Sequence, residues 1–382
     1  MKILGIESSC DETAAAVVED GYKLLSNVVA SSMDLHADYG GVVPEIAARS
    51  HIEAIIPTIK QALAEAMPTS NFQLPTSKFN PWDQIDGIAV TYGAGLGGCL
   101  LVGVMAARTL AIIKHKPLWR INHVEAHVYA NFLTEVSSIS NSQLANYSDG
   151  QGSALGNYKL AATQPEFPLL ALIVSGGHSQ LALFKNHFDY RLLGQTQDDA
   201  IGEAFDKVAK ILGLPYPGGP SIGQKALAGD PQAFDLPKAK MLGKYDFSFS
   251  GLKTAVLRLA QTQIGADYAF PSYGLPERLN EAQKADIAGS FQRVAVETVV
   301  DKTILAFHEF RPKSVVIAGG VAASPELRRQ LANRLPIAIN YPDPKLCTDN
   351  AAMVATLGCF QASASQTRAN PYSLAIEPNL SM

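Results

Sequence analysis

Residues 2–20, KILGIESSCDETAAAVVED, decide how this chain is read. Two apolar stretches, ILGIES and AAAVVE, flank the polar run Ser8-Ser9-Cys10-Asp11-Glu12-Thr13, the pattern of two strands joined by a polar turn whose tip, with Asp11 and Glu12, is expected to be exposed. The pattern returns at residues 169–184, where LLALIVS and QLALF flank Gly176-Gly177-His178-Ser179. A hairpin repeated about 165 residues later points to a duplicated architecture of two related lobes. A third element, Ser314 to Ser324, reads as the strand SVVIA, a Gly319-Gly320 turn and a helix opening at Ser324-Pro325-Glu326. Glycines there allow either a tight turn or a close backbone approach to a base or ribose.

Paired hairpins of this kind resemble the device by which actin-like ATPases and sugar kinases hold a nucleotide's phosphates. Turn hydroxyls and backbone N–H groups make the phosphate contacts, and turn carboxylates act through a metal. The expected class is α/β: an actin-like two-lobed fold with duplicated mixed-sheet lobes and an interlobe nucleotide cleft. The N-terminal lobe spans 1–135 and is completed by a C-terminal helix at 348–382. The second lobe spans 136–347 and carries a polar insertion at 137–156. Pro68 to Pro81 reads as another surface insertion, and the tail from Gln361 has the composition of a flexible segment.

The chain has 382 residues, room for two lobes near the usual domain size of roughly 100–200 residues. The formal net charge of −4 excludes a global attraction to nucleic acid. Any contact with RNA needs a local patch or a partner. Lys238, Lys240 and Lys244, and Arg311, Lys313, Arg328, Arg329 and Arg334, are the candidate clusters, with a solvated surface as their other reading.

Four cysteines, at 10, 99, 347 and 359, form no CxxC pair and no disulfide-scaffold pattern, which fits a reducing cytoplasm. MKILGIESSC enters a strand pattern at once and then meets Asp11 and Glu12, unlike a signal peptide, so the mature chain is expected to start here. Ile88 to Ala107 carries no charge over about the length of a membrane span. Its glycine-dense middle, TYGAGLGGCLLVG, favours a buried strand, a glycine turn and a buried helix instead.

The sharpest chemical signal is Asn122-His123-Val124-Glu125-Ala126-His127. On a helix, spacing of four puts His123 and His127 on one face, where both imidazoles reach one metal ion and Glu125 points away. The zinc-protease pattern HExxH places a glutamate directly after the first histidine, and here that residue is Val124. Asp349, at a helix start in Cys347-Thr348-Asp349-Asn350, is the candidate third ligand or a helix cap. A His-His-Asp set with open positions suits Fe(II), Mn(II) or Zn(II). Asp198, Asp199, Glu203, Asp206 and Lys207 lie three and four residues apart on a predicted helix, either as site residues or as a solvated face with a Glu203–Lys207 ion pair. Pro217-Gly218-Gly219-Pro220 reads as a sharp turn that offers the Gly219 backbone to a ligand.

Together these motifs resemble the family of tRNA N(6)-adenosine threonylcarbamoyltransferases, once described as O-sialoglycoprotein endopeptidases. The resemblance runs nearly end to end. It rests on GIESSCDETAAAVV (5–18), GGVVPEIAARSH (40–51), NHVEAH (122–127), IVSGGHSQL (173–181), DDAIGEAFDKVAKILGLPYPGGP (198–220), FSFSGLKTAV (247–256), VVIAGGVAAS (315–324) and CTDNAAM (347–353). It implies a metal, commonly iron as Fe(2+), on His123, His127 and Asp349. It also implies a threonylcarbamoyl-AMP site at Ile173, Val174, Ser175, Gly176, Gly177, Asp206, Gly219 and Ser324, with Asp11 and Glu12 as catalytic residues at its phosphate end. The implied reaction transfers the threonylcarbamoyl group to the N6 amine of adenosine 37 in tRNAs reading codons that begin with adenine. A smaller paralogous subunit and a P-loop ATPase are the implied partners. The chain departs from the family at Ser324, where asparagine is usual, and at Ala94, where proline is usual. A metalloprotease and a small-molecule kinase of the same superfold are the alternatives.

Overall fold

Lys2–Glu7 (KILGIE) forms β1, buried on both faces because almost every position is apolar. In the computed structural model the described residues are 1–36, 39–67, 80–133 and 164–382. They form two compact units, the first within Met1–His36, Val42–Lys159 and Thr348–Met382, the second within Ala37–Gly41 and Leu160–Cys347. The insertion expected at 137–156 and most of 68–81 lie outside the described residues.

In the first unit β1 pairs antiparallel with β2 (Glu12–Glu19), and β2 pairs antiparallel with β3 (Lys23–Ser31). On its other edge β1 pairs parallel with β4 (Gly87–Gly93), which pairs parallel with β5 (Leu118–Asn122). Alternation along the strands assigns the two faces. Leu4, Ile6, Ala15, Val17, Ile88 and Val90 share one core with Ile55 and Ile59 of α1 (Pro44–Ala66) and Val104 and Ala107 of α2 (Gly97–Ile113). Ile3, Gly5 and Ala89 face the other way, onto the last helix, α9 (Ala351–Ser363). A Cβ built on Gly5 would lie 2.3 Å from the Ala351 carbonyl oxygen, so only glycine lets the strand and helix backbones touch. A seven-residue helix, α3 (His123–Tyr129), continues directly from β5.

The second unit repeats the plan. β6 (Leu169–Val174) pairs antiparallel with β7 (Ser179–Asn186), β7 antiparallel with β8 (Asp189–Gln195), and β6 parallel with β9 (Ser314–Ala318), which pairs parallel with β10 (Ile339–Asn340). The strand orders β3-β2-β1-β4-β5 and β8-β7-β6-β9-β10 coincide, as the duplicated hairpin requires. Its helices are α4 (Ile201–Leu212), α5 (Gly218–Ala226), α6 (Ser250–Gln263), α7 (Glu281–Phe310) and α8 (Pro325–Arg334). Phe205, Phe249 and Phe291 pack with Leu170, Leu172 and Val174 in its core, each buried apolar side chain contributing about 1.5–3 kcal/mol.

Several expectations change in detail. The uncharged run at 88–107 is β4 plus the first turns of α2, and among the described residues no helix is long and apolar enough to cross a membrane. The C-terminal helix stops at Ser363. Beyond it the tail is tied down rather than loose, because Arg108 donates to the carbonyls of Pro371, Tyr372 and Leu374, and Glu377 N donates to Tyr92 O. Pro217-Gly218-Gly219-Pro220 opens α5 instead of forming an isolated turn.

Replacing Gly5 with alanine is expected to cost about 1–3 kcal/mol, the range for forcing extra atoms into a packed core, read as a fall in the denaturant midpoint. Gly41→Ala is the control: its added Cβ meets nothing within 4 Å, so it should stay within about 0.5 kcal/mol. Equal midpoints for the two variants would contradict the contact of β1 with α9.

Candidate functional site

Asn122 ends β5 and starts α3, its side chain accepting from Val124 N (2.9 Å) and Glu125 N (3.3 Å). The C-terminal tail fixes that cap, since Asn122 Nδ2 donates to Ser381 O at 3.1 Å. The four-residue spacing then sets His123 and His127 side by side, ring centroids 4.8 Å apart. Asp349 comes from the residue before the cap of α9. That cap is Asn350, which accepts from Met353 N at 3.1 Å, so capping does not consume Asp349. Asp349 Oδ1 lies 3.5 Å from His123 Nε2 and 3.3 Å from His127 Nε2. One ligand atom from each residue falls within 4.8 Å of the others.

These residues fit a divalent cation. His127 is buried and neither of its ring nitrogens makes a hydrogen bond, an arrangement that costs about 1–3 kcal/mol unless something else binds them. Two imidazole nitrogens and a carboxylate oxygen are the donor set of Fe(II), Mn(II) or Zn(II). Cys10 is a poor competitor, because burial and the nearby Asp11 and Asp349 push its thiol up and keep it protonated.

A buried network lies behind the histidines. Glu7, with no exposed surface, places Oε2 3.1 Å from His123 Nδ1 and accepts from Thr91 Oγ1 (2.6 Å) and from Ser9 N (2.7 Å, at Oε1). Ser9 Oγ is also 3.1 Å from His123 Nδ1. Burial pushes the Glu7 carboxyl up, but the charge and hydrogen bond of His123 outweigh it and hold the group below its ordinary value. Burial likewise lowers His123, and Asp349 and Glu7 more than reverse that, to about 9.

The turn expected as an exposed hairpin tip is not exposed: Asp11 and Glu12 are each only 8% accessible. Three groups from outside the hairpin cover and fix it. His51 of α1 sits with Nε2 2.9 Å from Cys10 O and Nδ1 2.7 Å from Thr13 Oγ1. Ser32 donates to Asp11 O from its N (3.0 Å) and its Oγ (2.8 Å), and His36 Nε2 is 3.2 Å from that hydroxyl. Burial, then Asp349 and Asp11, raise the Glu12 carboxyl to about 10. Glu125 is raised to about 7 by burial alone, and its Oε1 has no hydrogen-bond partner.

In the second unit the β6–β7 turn is built onto the start of α4. Ser175 O accepts from Gly202 N (3.2 Å), and Ser179 Oγ accepts from Ile201 N (2.9 Å). Ile173 and Val174 are fully buried, backbone included, and present no surface of their own. A Cβ on Gly176, Gly177 or Gly219 would meet nothing within 4 Å, so these backbones border open space. Asp206 Oδ1 accepts from Gly218 N at 2.6 Å, and Gly218 rather than Gly219 is the glycine that close packing demands, its virtual Cβ lying 2.5 Å from Asp206 Cα. A cavity of about 230 Å³ opens beside Asp206, Lys210 and Tyr216. Ser324 caps α8, its Oγ accepting from Leu327 N at 3.4 Å.

The remaining acidic candidates have structural partners. Asp198 holds the start of α6 by accepting from Ser248 Oγ, Phe249 N, Ser250 N and Ser250 Oγ. Asp199 precedes α4, and Lys207 pairs with both Asp199 and Glu203. Sequence reasoning missed Glu7, Thr91 and His51. Glu7 alone left a signal, a carboxylate ending an otherwise apolar strand.

Comparison with known proteins now decides the family. The model of the family TsaD: tRNA N6-adenosine threonylcarbamoyltransferase matches residues 23–154 and 141–356. The chain belongs to this family. A tRNA N6-adenosine threonylcarbamoyltransferase of Thermomicrobium roseum is 48% identical over 95% of this chain and 92% of its own. One of the same name from Caldicellulosiruptor saccharolyticus is 42% identical over 97% and 98%. Among solved structures, full-length HypF in its phosphate- and nucleotide-bound form overlays with a TM-score of 0.53 at 11% identity, over 96% of this chain and 56% of that one. That likeness concerns fold alone, and it accords with the actin-like α/β class expected for the two duplicated sheets.

His51 gives a pH test of the covered turn. Burial lowers its affinity for a proton, against the pull of the Cys10 carbonyl, Glu7 and Asp11, so it titrates below the ordinary 6.5. The unfolded chain therefore takes up that proton first, and stability falls as pH drops through and below about 6.5. His51→Gln can keep both hydrogen bonds without titrating. Urea unfolding from about pH 8 to pH 5 should show the parent losing stability relative to this variant at the acid end. Parallel curves would contradict the buried neutral imidazole.

Proposed function

We propose that this chain transfers the threonylcarbamoyl group of threonylcarbamoyl-AMP to the N6 amine of adenosine 37 in tRNAs reading codons that begin with adenine, releasing AMP. The observation carrying this reading is the meeting of two family motifs, NHVEAH and CTDNAAM, in one constellation of His123, His127 and Asp349, with Glu7 and Ser9 of a third, GIESSCDET, against His123. The substrate is a mixed anhydride. The amine nitrogen attacks the carbamoyl carbon, a C–N bond forms, the carbon–oxygen bond to phosphate breaks, and the nitrogen gives up a proton.

A cation on His123, His127 and Asp349, iron by family resemblance with zinc or manganese compatible, would supply charge stabilisation as a Lewis acid. The other roles fall to the chain's own groups. Asp11 and Glu12 serve the phosphate end, from a turn held by His51 and Ser32. Ile173 to Gly177, Asp206, Gly219 and Ser324 form the adenylate site by family resemblance, and the backbones of Gly176, Gly177 and Gly219, which border open space, are the ones a ligand can approach closely. The protonated Cys10 thiol suits direct transfer without a covalent enzyme intermediate.

Recognition of tRNA needs partners, because the net charge of −4 gives no overall attraction and several residues of the candidate basic clusters are held in internal ion pairs. Lys238 binds Glu297 and Asp301, Lys244 binds Glu309, Arg329 binds Glu326, and Arg334 binds Asp301. A smaller paralogous subunit and a P-loop ATPase are the partners we propose. Exposed Ile52 and Ile56 on α1, with Leu101 and Met105 on α2, are apolar positions suited to the paralogue. A tRNA substrate and four free cysteines support a cytoplasmic site of action.

Product analysis tests the reading. The chain, mixed with the two partners, tRNA and threonylcarbamoyl-AMP, should yield threonylcarbamoyladenosine in the tRNA and AMP in equal amounts. ADP with a phosphorylated metabolite, or a cut peptide, formed while the tRNA stays unmodified would contradict it and return one of the rival activities.

A further inference from the structure

Two side chains meet the His123 ring at Nδ1, the Ser9 hydroxyl and the Glu7 carboxylate, each at 3.1 Å, and of the two only the carboxylate is purely an acceptor, with no role assigned so far. Glu7 sits at the last position of β1, fully buried, with three donors converging on it: Ser9 N at 2.7 Å on Oε1, and Thr91 Oγ1 at 2.6 Å and the His123 ring at 3.1 Å on Oε2. Ser9 N and Thr91 Oγ1 can only approach it as donors here, so the carboxylate cannot swing away from the imidazole without abandoning them. Its remaining acceptor capacity faces Nδ1. A hydrogen on Nδ1 leaves the lone pair of a neutral ring on Nε2, and Nε2 is the atom 3.5 Å from Asp349 Oδ1.

We propose that Glu7 is a positioning residue of the metal centre: by accepting the Nδ1 hydrogen of His123 it fixes the ring's tautomer and direction, and so presents Nε2 to the cation. This inference rests on the metal-centre reading above. The asymmetry between the two histidines supports it. The carboxylate near His127 is Asp349, 3.3 Å from Nε2 on the side of the candidate cation, whereas its Nδ1 has no hydrogen-bond partner, so His123 is the ligand set in advance. Carboxylates behind ligating histidines recur in metal sites, and removing one typically weakens binding by about 10–100-fold.

The test is a Co(II) titration followed by the visible d–d absorption that imidazole ligation gives, on the full chain. Glu7→Gln keeps the shape but supplies only one acceptor oxygen for three donors. It should weaken Co(II) binding about 10–100-fold and change the d–d band shape. In a His123→Ala background the same substitution should alter affinity less than about twofold, since Glu7 acts through that ring. A purely structural role would lower the thermal midpoint of Glu7→Gln but leave the Co(II) affinity of the folded fraction untouched. Should Glu7→Gln fail to fold, Thr91→Val, which removes one of the donors that pin Oε2, should weaken Co(II) binding several-fold. Parental affinity in Glu7→Gln, or in Thr91→Val where that variant stands in, overturns the positioning role while the centre survives. A parent chain that binds no Co(II), or a His123→Ala variant that binds it as the parent does, overturns the metal centre beneath it.

Discussion

A buried carboxylate and a buried imidazole, Glu7 and His123, form the contact on which the first unit's candidate site depends. Leaving one partner of such a pair buried alone costs about 3–5 kcal/mol, so strand and helix are bound to keep their relative places. Glu7 ends β1, Thr91 belongs to β4, and His123 begins α3, and the pair therefore ties the parallel centre of the sheet to the helix that carries both imidazoles. From the opposite side α9 brings Asp349, and the absence of a side chain at Gly5 lets that helix lie against β1. Removing water raises the cost of each unpaired polar atom, so the same burial that orders His123 leaves His127 in need of a ligand.

The two units share a strand order but have diverged at the turns. In the first, Ser9 to Thr13 carries carboxyls that are covered by His51, Ser32 and His36 and crowded enough to raise Glu12 to about 10. In the second, Gly176 and Gly177 border open space, and the turn is anchored through Ser175 and Ser179 to the amides that open α4. The first turn therefore concentrates acidic groups, and the second leaves bare backbone beside open space.

Much of this was legible locally. The hairpin and its copy follow from apolar runs around polar turns, and the i,i+4 spacing of His123 and His127 needs only helical geometry. Asp349 could be named as a ligand or as a cap, and the presence of Asn350 as the actual cap separates the two. What stayed hidden was long-range. His51 lies some forty residues from the turn it holds and Thr91 more than eighty from Glu7, distances over which no periodicity carries information. The hairpin tip read as exposed because the covering residues, Ser32, His36 and His51, are not part of the hairpin. Basic residues that cluster along the chain turned out to be held by acids on α7, such as Glu297 and Asp301, which lie far from them in sequence.

The central claim is that a buried His-His-Asp set, ordered by Glu7, holds a divalent cation. X-ray absorption of the chain loaded with Fe(II) measures this directly. The account predicts a first shell of nitrogen and oxygen at about 2.0–2.2 Å with the outer-shell pattern of two imidazoles, both lost in a His123→Ala/His127→Ala variant. A sulfur scatterer at about 2.3 Å, the distance of a thiolate such as Cys10, or a first shell without imidazole, would contradict it.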